Sequence, residues 1–139
     1  MAGSNPKLIT ALRETAQRLS NGARYEWGHM GRCNCGHLLQ TVTEKSDYEI
    51  VKTIDFKLDE WSEYANDYCP GTGQKVEDLF CALRDVGFTR QDVIHLENLS
   101  DKRVLRRLSN GMPRYLRRNN IEHVTLYMHT MADILEEEL

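Results

Sequence analysis

The chain has 139 residues, 40% of them hydrophobic and 28% charged, with three prolines, nine glycines and a formal charge of −3 at pH 7. That composition excludes a disordered or collagen-like chain, and the length suits one domain that buries roughly two-thirds of its unfolded surface without help from metal or disulfide. The longest apolar run, Leu79 to Leu83, is far short of the ~20 residues a membrane helix needs, and Arg13, Glu14 and Arg18 interrupt the first amphipathic stretch, so neither a membrane partner nor a signal peptide is expected.

In chain order, Asn5-Pro6 reads as a helix cap followed by proline in the first turn, and Leu8, Leu12, Ala16 and Leu19 share one face until Asn21-Gly22. Gly22 to Gly36 holds four of the nine glycines and reads as an ordered irregular loop, with Asn34 placed to cap a helix through Leu38, Leu39 and Val42. Ser46 and Glu49 form a capping box ahead of Val51, Ile54, Leu58, Trp61, Ala65 and Tyr68, which predicts a long helix over about 47–68.

Cys69-Pro70-Gly71-Thr72-Gly73 breaks that pattern, and Val76, Leu79, Phe80, Leu83 and Val86 then make an apolar face closed by Gly87. Thr89 with Asp92 marks another start, Ser100 precedes a run with Val104, Leu105 and Leu108, and Gly111-Met112-Pro113 ends it. Asn119-Asn120 caps a last helix carrying Ile121, Val124, Met128, Met131 and Leu135. No element demands a strand, so the expectation is an all-α, bundle-like single domain over residues 1–139 with one glycine-rich irregular loop.

The segment Trp27-Gly-His-Met-Gly-Arg-Cys-Asn-Cys-Gly-His37 concentrates His29, Cys33, Cys35 and His37. Thiolate and imidazole together suit zinc or iron, and Gly28, Gly31 and Gly36 allow tight turns that bring such ligands together. Cys33-x-Cys35 is nevertheless shorter than the usual zinc knuckle and has no second pair. Cys69, His95, His123 and His129 are the distant residues available to complete a site; His129 falls on the polar side of its helix, where Asp133 is a candidate partner, and His123 borders the apolar face. The same cysteines, near a helix start, also fit a redox or nucleophilic thiol, or simple burial as small apolar groups.

Charge is polarised along the chain: +3 over residues 1–43, −8 over 44–101, +7 over 102–118 and −5 over 119–139. Lys102, Arg103, Arg106, Arg107, Arg114, Arg117 and Arg118 carry the basic segment with no acid among them, a pattern that suits an anionic partner but is more simply neutralised by the −8 segment of the same chain. P-loop, GxGxxG, HExxH, GxSxG and CxxCH motifs are absent. The residues thus leave three functions open: a zinc- or iron-binding helical protein using Cys33, Cys35, His37 and His29, in a structural or sensory role; a non-enzymatic module that binds a protein or an anionic partner through 102–118; and a thiol-redox protein. Four cysteines without an export signal favour a reducing, cytoplasmic setting.

Overall fold

The computed structural model describes residues 2–26, 32–47, 49, 50, 74–109 and 116–139. Among these residues the helices with full bounds are α1 (Pro6–Ser20), α2 (Asn34–Thr43), α3 (Gln74–Asp85), α4 (Arg90–Asn98), α5 (Lys102–Ser109) and α6 (Ile121–Glu137), and the described residues contain no strand. The architecture is all-α, as the periodicity requires. Among the described residues no helix is long and apolar enough to cross a membrane.

α1 begins where Asn5 accepts a hydrogen bond from the Lys7 amide at 2.8 Å, and Pro6 supplies a φ already suited to the first turn. It ends in a Schellman turn. Ala23 N–H reaches the Arg18 carbonyl and Gly22 N–H the Leu19 carbonyl, with Gly22 at φ +93°. α3 ends the same way, with Phe88 N–H on Leu83 O, Gly87 N–H on Arg84 O and Gly87 at φ +88°. α4 repeats the turn with Leu99 in the left-handed position at φ +51°, a conformation disfavoured for leucine that burial of its side chain offsets.

Among the described helices, α1 and α6 form the most extensive contact. Leu8, Leu12, Ala16 and Leu19 of α1 and Val124, Met128, Met131 and Leu135 of α6 are all buried in one core cluster. Arg13 closes the edge of this interface by pairing with Asp133 at 2.9 Å and with Glu136. α2 packs on α1, α3 and α4, while α5 lies against α6.

Two starts differ from the sequence expectation. Cys33, and not Asn34, is the N-cap of α2, because the Asn34 side chain is drawn inward to other partners. α5 starts from Asp101, whose carboxylate accepts the Arg103 amide at 2.9 Å; Ser100 instead pairs its hydroxyl with His95 Nδ1 at 2.8 Å. The Ser46/Glu49 box forms reciprocally, each amide 3.2 Å from the other residue's side-chain oxygen, and Ile50 N–H bonds to Ser46 O. The rest of the helix expected over 47–68 lies outside the described residues.

Candidate functional site

The first turn of α2 is the chemically densest place in the described chain. Cys33 sits in extended backbone before the helix, its sulfur 3.4 Å from the Gly36 amide it caps, and its S–H donates to Glu97 Oε1 at 3.1 Å. Two residues on, the Cys35 amide donates to the same Oε1 at 2.8 Å, and the Cys35 thiol donates to Val93 O at 3.4 Å. Between them, Asn34 donates through Nδ2 to Leu96 O at 3.1 Å, Glu97 O at 3.2 Å and Arg118 O at 3.2 Å. Its Oδ1 lies 2.6 Å from the Tyr25 hydroxyl, which shares its proton with Arg118 O at 2.9 Å.

This arrangement ties one helix start to another helix's end. The N-terminus of α2 exposes amides and a partial positive charge, and the C-terminus of α4 exposes carbonyls. Glu97 satisfies the first from α4, and Asn34 satisfies the second from α2. Glu97, Asn34 and Cys35 are fully buried, so each contact is made away from water, where leaving it unmade costs most.

Burial is also the main influence on the thiol: it pushes Cys33 well above the ordinary thiol range, and the Glu97 charge and hydrogen bond push the same way. Cys33 therefore stays protonated and donates, the opposite of what a nucleophilic thiolate requires. Burial likewise raises Tyr25, with Cys33, Glu97 and Cys35 adding to it.

His37 is one turn further along α2 and only 2% exposed. Its Nε2 lies 2.8 Å from Arg24 O, so Nε2 carries the proton, and the ring stacks on Tyr25 with centroids 6.1 Å apart. The other ring nitrogen, Nδ1, is buried with no hydrogen-bond partner. Burial holds the imidazole below its ordinary range; the Arg24 carbonyl opposes this, Arg18 and Arg32 reinforce it, and Asp47 opposes it.

Of the four expected metal ligands, Cys33 and Cys35 share the Glu97 cradle, His37 turns to the Arg24 carbonyl, and His29 lies outside the described residues. Among the described residues no group of three or more His, Cys, Asp or Glu side chains is arranged to hold a metal ion. Cys69 is also outside them. His95 bonds to Ser100 and contacts Gln91, and His123 Nδ1 accepts the Arg117 amide at 2.8 Å. His129 is exposed, as its place on the polar face predicts, but Asp133 turns to Arg13.

Glu97 is the site residue that the sequence reading missed. Its signal was present: with Val93 and Leu96 it completes the apolar stripe of α4, a position where an acid needs a buried partner.

In the basic segment, Arg103 pairs with Glu138 and Arg107 with Glu137, both from the end of α6, where the sequence expectation looked to the acidic segment 44–101. Arg118 donates to Asn98 Oδ1 at 2.8 Å, Arg106 and Arg117 are exposed, and Arg114 is outside the described residues. Comparison of the chain with protein-family models, with curated proteins and with solved structures finds no match to any of them.

Proposed function

We propose that this chain is a non-enzymatic helical interaction module that meets an anionic partner through the basic segment 102–118, and that the Cys33–His37 turn is an internal brace. The observation that carries the proposal is the contrast between the two segments. Cys33, Cys35 and His37 are buried and committed to Glu97, Val93 and Arg24, whereas Lys102, Arg103, Arg106 and Arg107 of α5 lie at the surface around a buried Val104. A surface that concentrates one sign of charge attracts partners of the other, and its binding weakens with salt.

Retention on immobilised heparin tests this. The native chain is expected to bind at low salt and elute as salt rises, and Arg106→Glu/Arg107→Glu to elute earlier; identical elution of the two proteins refutes the assignment to 102–118. In parallel, Cys33 and Cys35 are expected to resist a thiol reagent until the chain unfolds.

A second reading, zinc or iron binding, is favoured by one observation: the buried Nδ1 lone pair of His37 on a ring oriented by a carbonyl, which is how metal-ligating histidines are commonly held. Cys33, Cys35 and His29 would complete the ligand set. About one metal ion per chain in elemental analysis, lost in Cys33→Ser/Cys35→Ser, would establish this reading; a metal-free protein would remove it.

A further inference from the structure

α5 and the end of α6 enclose a groove of about 320 Å³ lined by Arg103, Arg106, Arg107, Ile134, Glu137 and Glu138. Arg106 and Arg107 follow Arg103 by three and four residues, so each neighbours it on the helix surface, and all three line the groove. Two of them hold carboxylates from the chain's own α6: Arg107 pairs with Glu137 and Arg103 with Glu138. Ile134 gives the groove an apolar floor, itself only 7% exposed.

We propose that this groove is a docking site for an acidic segment of another protein, and that Glu137 and Glu138 occupy it as a built-in competitor. The proposal rests on the reading of 102–118 as the interaction surface and names its partner. The chemistry of the occupant is given by what already fits: adjacent carboxylates on a short stretch of chain, against an apolar floor.

A long polyanion fits less well. It would run over the acidic end of α6, and the chain's net charge of −3 repels it at a distance. A short acidic segment carries fewer charges and is repelled less.

The internal pairs are the kind that can be displaced. The arginine side chains are 48% and 42% exposed and the glutamates 37% and 64%, so water and salt screen both pairs. Their advantage is tethering, which keeps the two carboxylates at high effective concentration beside the arginines. A partner that offers more carboxylates, or a change that neutralises Glu137 and Glu138, shifts the balance toward the external segment.

The test is fluorescence anisotropy of the full chain with a fluorescein-labelled peptide, Ile-Leu-Glu-Glu-Glu-Leu, which has the sequence of residues 134–139. Glu137→Gln/Glu138→Gln is expected to bind it about tenfold more tightly than the native chain, with affinity falling as salt rises. Adding Arg103→Glu/Arg107→Glu removes the binding. Glu136→Gln, which loosens the Arg13 pair at the other side of α6, leaves the affinity at the native value. Circular dichroism confirms that each variant is folded. Equal affinity in the native and Glu137→Gln/Glu138→Gln chains overturns the competitor, and binding that survives Arg103→Glu/Arg107→Glu overturns the groove. Tighter binding of a single-stranded oligonucleotide than of the peptide overturns the acidic-protein assignment while leaving the basic surface intact; absence of both heparin retention and peptide binding, in the native chain and in Glu137→Gln/Glu138→Gln alike, would instead remove the surface itself.

Discussion

At the scale of single residues, the buried polar groups near α2 determine what acid and substitution do. In the unfolded chain His37 titrates near the ordinary value of about 6.5, whereas in the fold burial holds it lower. As pH falls through that value the unfolded chain takes up the proton first, so the stability contributed by neutral His37 is full above it and drains away until the folded imidazole also protonates. Arg18, Arg32 and Asp47 are the charged groups around it; the two arginines deepen the penalty for a further positive charge, and Asp47 opposes them. The urea midpoint should therefore drop between pH 8 and pH 5.5, and His37→Phe should flatten that part of the profile. An unchanged slope in the variant would assign the acid sensitivity elsewhere.

Glu97 gives the complementary case. Glu97→Ala strips the Cys35 amide and the Cys33 thiol of their shared acceptor in a fully buried place, a loss of about 2–3 kcal/mol that urea unfolding would register. Glu97→Gln keeps an acceptor oxygen in reach and should lose about half as much. Equal costs for the two substitutions would show that bulk, and not the hydrogen bonds, is what Glu97 supplies.

At the scale of elements, the helix ends were the best-written part of the sequence. Asn5, Gly22, Gly87, the Thr89/Asp92 box and Asn120 all act where their chemistry places them, because caps are local: the residue that supplies the oxygen or the left-handed φ is adjacent to the backbone it serves. Two starts were misread for one shared reason. Asn34 and Ser100 are good capping residues, but each is taken by a tertiary partner, α4 and Arg118 for the first and His95 for the second, and the neighbouring Cys33 and Asp101 cap in their place. The burial of Glu97 is written in the stripe of α4, but its partners are not, since residues 33 and 97 meet only once α2 and α4 have packed.

Gly87 tests the local part of this account. At φ +88° any side chain is strained, and a Cβ there would lie 3.3 Å from the carbonyl oxygen of Gly3, whose amide bonds back to Gly87 O at 3.1 Å. Gly87→Ala should cost about 1–2 kcal/mol and loosen the N-terminal segment that docks on this corner. Thermal unfolding measures the first, and faster amide exchange at Gly3 the second.

At the scale of the whole molecule, the question is what joins the first helix to the last. Arg13 bridges α1 to Asp133 and Glu136, an arrangement that raises the arginine's affinity for its proton chiefly through the Glu136 hydrogen bond. All three side chains are substantially exposed, however, and exposed pairs are worth about 0–1 kcal/mol, less as salt rises. The apolar seam beneath them is different in kind. Leu12 is fully buried in the α1–α6 core, and truncating such a side chain removes its transfer energy and leaves a cavity, together about 2–5 kcal/mol. Leu12→Ala should therefore lower the unfolding free energy several times more than Arg13→Ala, and only the Arg13→Ala difference should shrink when salt is raised to 1 M. If instead Arg13→Ala matched Leu12→Ala, the charged edge would be part of the fold's foundation. The Arg103 and Arg107 pairs at the same end of α6 could then no longer be treated as readily displaced.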